Sequence, residues 1–156
     1  MEIIFKERQR LDAIWPMLFV AIVVVSNYIY YFIFHNNEME LFYNSLLMAI
    51  IVGGVLSILR LDYAISKTEI RFKFFPIHFK WQKILWENVS SVQIRKYNAL
   101  SEYYGRGIKS SVLSGKAYSI SGHEGLQVTL KNGKKILFGT NKSLALKKYL
   151  VGINKL

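Results

Sequence analysis

Side chains that do chemistry are sparse in this 156-residue chain, and their spacing argues against catalysis. There is no Cys, which removes disulfide scaffolds, thiolate metal sites and cysteine nucleophiles from consideration. His35, His78 and His123 lie far apart and lack the short spacings at which metal ligands recur. Exposed turn or strand positions account for them better, and no metal is expected. Glu87, Glu102 and Glu124 each stand without a nearby acidic partner, whereas paired-carboxylate chemistry needs two acids flanking one bond. Gly105-Arg106-Gly107 lacks the later glycine and the strand–helix setting of a dinucleotide loop, and no phosphate-loop pattern occurs. Those glycines are read as permitting tight turns. No nucleophile–base constellation can be named, so neither enzymatic activity nor a cofactor is expected.

What remains is chemistry of binding. The polar stretch Asn98–Val112 mixes aromatic and cationic side chains, Tyr103, Tyr104, Arg106 and Lys109, the composition of interface hot spots. Its plainer reading is a loop folded over the mouth of a β domain. Lys142, Lys147 and Lys148 line one C-terminal helix, and Arg60, Lys67, Arg71 and Lys73 follow closely on an apolar segment. Basic residues held at an anionic bilayer surface contribute about 1 kcal/mol each. The plainer reading is a solvated surface, and nucleic acid is a weaker candidate because no recognition motif is present. Ala49, Gly53 and Ser57, at i, i+4 and i+8, form a ridge of small side chains suited to close helix packing. Either a neighbouring helix of the same chain or a partner subunit covers it. Asn27 and Asn44 call for hydrogen-bonding partners on another helix or another protein.

The elements that position these residues separate along the chain. The composition is 52% hydrophobic and 15% aromatic, yet the net charge is +11. From Ala13 to Phe34, 22 residues pass without a charge, and from Leu41 to Leu59 another 19 do so. At helical rise these make spans of about 33 and 28 Å, against a hydrocarbon core of about 30 Å. Residues 1–60 therefore read as a transmembrane hairpin with spans at about 13–34 and 41–59, flanked by Trp15 at one end and Tyr28, Tyr30 and Tyr31 at the other. A cleaved signal peptide fits poorly, because the first span is too long and no small-residue cleavage site follows it. The connector His35–Glu40 carries −2, and residues 60–156 carry +13. Lys and Arg flank the hairpin on one side only, which places both termini in the cytoplasm of a multi-pass membrane protein.

Beyond Arg60 the apolar period becomes two. Strand patterns run over Leu61–Lys67, Glu69–Phe75, Ile77–Leu85, Val89–Tyr97, Lys116–Ser121, Leu126–Lys131 and Lys134–Phe138. Asn132-Gly133 marks a two-residue hairpin of type I′. Leu146, Tyr149, Leu150 and Ile153 then recur at helical steps after Thr140 or Asn141 as N-cap. Seven short strands need closure to manage their edges, so residues 61–156 are expected to form an antiparallel barrel plugged by this helix. The class is an α+β membrane protein.

Trp86-Glu87-Asn88-Val89-Ser90-Ser91-Val92, Gly105-Arg106-Gly107-Ile108-Lys109, Ala117-Tyr118-Ser119-Ile120-Ser121-Gly122 and Asn132-Gly133-Lys134-Lys135-Ile136-Leu137-Phe138-Gly139-Thr140 follow in an order that resembles the bacterial pleckstrin-homology (PH)-like domains of small membrane proteins. That resemblance implies a seven-stranded barrel capped by a C-terminal helix, without enzymatic activity, at the bacterial inner membrane. It carries over no functional residues. The basic first-strand loop by which eukaryotic PH domains hold phosphoinositides is reduced here to Lys67-Thr68. The leading expectation is a membrane-anchored adaptor or scaffold, in a homo-oligomer or with another membrane protein. The alternatives are a sensor of anionic lipid headgroups or another ligand, and an accessory subunit of a transporter or channel.

Overall fold

A computed structural model describes residues 4–12, 14–34 and 39–156. The chain divides into two compact units, Leu11–Leu59 and a second built from Met1–Arg10 together with Arg60–Leu156. The first unit is a pair of apolar helices, α1 (Ile14–Phe34) and α2 (Met39–Ile58). Ala13, and the connecting residues 35–38 with His35 among them, lie outside the described residues. Both helices are long and apolar enough to cross a membrane, and only 6% and 11% of their spans are buried. A core helix of a soluble fold would show the opposite.

Between the helices the small-residue ridge is partly used. A Cβ added to Gly53 would lie 3.0 Å from Val20 Cγ2, and Ala49 is buried, so both sit against α1. Ser57 stays exposed and donates to the Gly53 carbonyl of its own helix at 2.8 Å. Asn27 accepts from Ser45 Oγ of α2 at 2.8 Å and donates to the Val23 carbonyl at 2.7 Å, which satisfies an amide that apolar surroundings would penalise. Asn44 is exposed.

The second unit has two sheets, of four and five strands, and not the single closed seven-stranded barrel expected. The four-stranded sheet is an antiparallel meander of β1 (Phe5–Arg10), β2 (Arg60–Ile65), β3 (Glu69–Phe75) and β4 (Gln82–Leu85). The five-stranded sheet uses β5 (Val89–Lys96), β6 (Gly107–Ser111), β7 (Gly115–Ser119), β8 (Glu124–Leu130) and β9 (Lys135–Thr140), in the order β5-β8-β9-β7-β6. A short helix α3 (Ala99–Tyr103) precedes β6, and the expected closing helix is α4 (Ser143–Gly152), whose N-cap is Lys142, without a side-chain cap, and not Thr140 or Asn141.

The β domain departs from expectation at four further places. Strand β1 belongs to the β domain although it precedes the helix pair, so residues 1–60 and 61–156 are not separate bodies. Its inward residues include Glu7 and Gln9, which hides the apolar alternation. Strand β6 lies within the stretch expected to be loop, where GIKSS offers one large apolar residue. Strands β7 and β9 run parallel, with Lys116 opposite Ile136, within a sheet whose short links had suggested mostly antiparallel pairing. The β8–β9 hairpin forms where expected, but Asn132 keeps a negative φ and only Gly133 is left-handed, at +80°. This is a turn followed by a glycine bulge, not type I′.

The core lies between the sheets. Phe72 of the first sheet meets Tyr118 at 4.9 Å and Phe138 at 5.0 Å between ring centroids, and Tyr63 stacks on Phe138 at 5.9 Å. Such pairs contribute about 0.5–1.5 kcal/mol beyond their burial. Leu146 and Leu150 bury one face of α4 in this core. At Gly115 a Cβ would lie 2.3 Å from the Lys135 carbonyl oxygen, so the entry of β7 beside β9 requires glycine.

Candidate functional site

The register of the four-stranded sheet sorts its side chains by face. Phe5, Glu7, Gln9, Leu61, Tyr63, Ile65, Ile70, Phe72, Phe74 and Ile84 share the inner parity. The other face aligns Lys6 with Ala64, Arg71 and Lys83 in one row. The next row is Arg8, Asp62 and Lys73, and the last is Arg10, Arg60 and Phe75. Seven basic residues thus meet two acids, Asp62 and Glu69.

Both acids are already engaged. Asp62 pairs with Arg8 at 2.5 Å and with Arg60 at 3.2 Å, and Glu69 pairs with Arg71. Among the described residues, Lys6, Lys83 and Lys142 enter no ion pair. These three lysines, with Arg71, Ser66 and Trp81, line an open concavity of about 1080 Å³ over this face. Its lining is mixed, with a cationic excess: Lys6, Arg8, Arg71, Lys83 and Lys142 stand against Glu7, Asp62 and Glu69, whose carboxylates are already hydrogen-bonded or ion-paired, and hydroxyls at Ser66 and Thr68 and the Trp81 indole complete it.

The basic face depends on β1, and β1 depends on a buried polar cluster. The Glu7 carboxylate accepts from Tyr63 Oη at 2.7 Å, Thr140 Oγ1 at 2.6 Å, the Asn141 N–H at 2.8 Å and Gln9 Nε2 at 3.0 Å. Gln9 Nε2 also donates to the Gly139 carbonyl at 2.8 Å. Four donors converging on one buried carboxylate meet the requirement that a buried charge be fully hydrogen-bonded. Burial, and then the adjacent Glu7 carboxylate, pushes the Tyr63 phenol far above its ordinary range, so it keeps its proton and donates it to Glu7.

The residues singled out in sequence divide. Tyr103 is buried and belongs to the packing: its hydroxyl donates to the Ser114 carbonyl at 3.1 Å and accepts from Arg95 Nη2 at 3.2 Å. The same Arg95 nitrogen lies 2.8 Å from Glu102, whose hydrogen bond with Arg95 holds its carboxyl below the usual range. The Asn98 side chain accepts from the Leu100 and Ser101 N–H groups, and Glu102 accepts from the Asn98 N–H. That reciprocal cap turns a supposed loop into α3. Tyr104 is exposed at the left-handed end of α3, Arg106 is exposed beside a smaller concavity, and Lys109 is half-buried on β6. Of the helix lysines, Lys142 joins the basic concavity, while Lys147 and Lys148 are exposed on α4 and do not line it. Lys6 and Lys83 carried no notice as site residues. The alternation of Lys6, Arg8 and Arg10 is the trace they leave: a cation at every second position is what one face of a strand looks like. His78 and His123 belong to separate places, and among the described residues no cluster of three His, Asp or Glu suited to a metal occurs.

No family model and no curated protein matches the chain. The layout of two apolar helices and a β domain with a closing helix stands on the chain's own features.

Proposed function

We propose that this chain is a non-catalytic adaptor of the cytoplasmic membrane, anchored by α1 and α2 with both termini cytoplasmic, which presents its β domain to a protein partner at the membrane face. The carrying observation is that the helix pair is inserted between β1 and β2, whose Arg10 and Arg60 are register partners. The chain thus leaves the β domain at Arg10 and re-enters it at Arg60, on neighbouring strands, so two covalent links join the domain to its anchor. The near-complete exposure of α1 and α2 supports a bilayer as their solvent. The PH-like reading rests on the order of its motifs and on this layout. Chemical crosslinking in native membranes tests the adaptor reading. A specific adduct or a defined oligomer is expected, and a lone detergent-solubilised monomer with no crosslinked partner refutes it.

A second reading, recognition of anionic headgroups, is favoured by the seven-to-two charge imbalance on the β1–β4 face, beside a concavity lined by five basic and three acidic residues. Flotation of the β domain with vesicles tests it. Recovery several-fold greater with phosphatidylglycerol than with phosphatidylcholine is expected, and equal recovery sinks it.

A further inference from the structure

The link between β3 and β4 exposes an unusual amount of apolar surface. Ile77 is 61% exposed, Phe79 75% and Trp81 51%, with Lys80 between the aromatics. These residues are not loosely held. His78, in their midst, donates its N–H to the Phe74 carbonyl at 2.7 Å, and its ring packs at 6.0 Å on Phe72 and 5.8 Å on Tyr118. Burial, and then nearby Lys116, lowers the His78 pKa. With His78 fixed inward, its neighbours Ile77 and Phe79 project outward. A domain that shows water this many large apolar side chains in one short link forgoes burial worth about 1.5–3 kcal/mol per side chain.

The register says where this link lies. Arg10 opposes Arg60, and Arg60 opposes Phe75, so the β3–β4 link leaves the sheet at the end where the chain passes to α1 and returns from α2. The α2 helix ends at Ile58, two residues before Arg60. On the strands' other end, the Ser66-Lys67-Thr68 turn is about 17 Å away, five steps at about 3.3 Å each. Cations sit at the same end as the aromatics: Arg60 lies 5.1 Å and Lys73 5.7 Å from the Phe75 ring. Aromatic rings beside Lys and Arg at the end of an apolar span are the composition of a membrane interface.

We propose that the Ile77–Trp81 link inserts into the interfacial layer of the leaflet that α1 and α2 enter, forming a third point of attachment that fixes the β domain against the bilayer. This rests on the membrane reading above, and the test separates the two. The chain has no Cys, so single labels are clean. Full-length Phe79→Cys, Lys67→Cys and Ile22→Cys variants, each carrying one environment-sensitive fluorophore, are reconstituted in phosphatidylcholine–phosphatidylglycerol vesicles. Nitroxide lipids quench from within the bilayer and iodide from the water.

The label at position 79 should lose about half its emission or more to a headgroup-level nitroxide and little to iodide. Position 67 should show the reverse, and position 22 should be quenched only by a nitroxide deep in the acyl chains. All three sites are exposed positions, so folding is not at stake. If position 22 is quenched by lipid while 79 behaves like 67, the proposal fails and the membrane reading stands. If 79 and 67 are both quenched by lipid alike, the stated attachment is also wrong. If position 22 is reached by iodide and not by lipid, both readings fall together.

Discussion

Replacing Glu7 by Ala tests the central structural claim, that a strand preceding the helix pair is part of the β domain. In wild type the carboxylate accepts from two buried hydroxyls, Tyr63 and Thr140, and from the Asn141 N–H. Gln9 retains the Gly139 carbonyl whatever happens at position 7. Leaving a buried donor unpaired costs about 1–3 kcal/mol, so the two hydroxyls alone set a loss of about 2–6 kcal/mol. Removing the carboxylate also returns the desolvation cost of burying it, which pulls the figure toward about 3 kcal/mol. Glu7→Gln keeps an oxygen for the Asn141 N–H and turns an NH₂ toward hydroxyls that can rotate to accept, so it should cost only about 1 kcal/mol. The measurement is urea unfolding of the full chain in detergent micelles, followed by near-ultraviolet circular dichroism of the aromatic core. At a slope of about 1.5 kcal/mol/M, Glu7→Ala should lower the midpoint by about 2 M and Glu7→Gln by well under 1 M. A Glu7→Ala midpoint indistinguishable from wild type, or equal effects of the two substitutions, would refute the reasoning, because a solvated juxtamembrane acid would behave in that way.

The register makes a second prediction about the same strand. Since Arg10 faces Arg60, replacing residues 11–59 by a two- to four-residue turn should yield a soluble, cooperatively folded β domain, whereas residues 61–156 alone should aggregate for want of β1 at the β2 edge. Size-exclusion chromatography and amide exchange distinguish the two, and equal behaviour would count against β1. Tyr103→Ala should destabilise the domain by about 3–5 kcal/mol, since it empties packing against Tyr97, Ala117 and Leu137. Tyr104→Ala, next in sequence but 79% exposed, should stay within about 0.5 kcal/mol of wild type. Thermal unfolding of both variants checks the contrast, and comparable losses would place Tyr104 in the core too.

Much of this arrangement is legible in sequence where one physical requirement dominates. The two apolar helices are visible because long charge-free runs seldom arise otherwise. Strand β3 is visible because Ile70, Phe72 and Phe74 alternate with exposed or half-buried positions. The final helix is visible because Leu146 and Leu150 recur at a helical step. Strand β1 escapes the same reading because its inner positions are polar, and Glu7 and Gln9 are tolerable inside only through partners more than fifty residues away. The stretch around Asn98 escapes because its cap uses Asn98 and Glu102 four residues apart, while the side chain that anchors it, Tyr103, looks like an interface residue.

The candidate site is a sharper instance. Basic residues were countable, and their excess after the helices was plain, but Lys6, Arg71, Lys83 and Lys142 come from four separated segments. Only strand pairing puts three of them in one row, Lys6, Arg71 and Lys83, and only the return of the chain at Thr140 brings Lys142 beside them.

By itself, then, the sequence determined what depends on local composition and period: two apolar helices, a basic β-rich remainder and a closing amphipathic helix. The tertiary structure alone decided that the strand before the helices completes the domain after them, that the nine strands among the described residues form two sheets, and which cations share a face. The reason is that strand partnership and register are settled by non-local hydrogen bonds and by burial against distant residues. A neighbour in sequence carries little information about either.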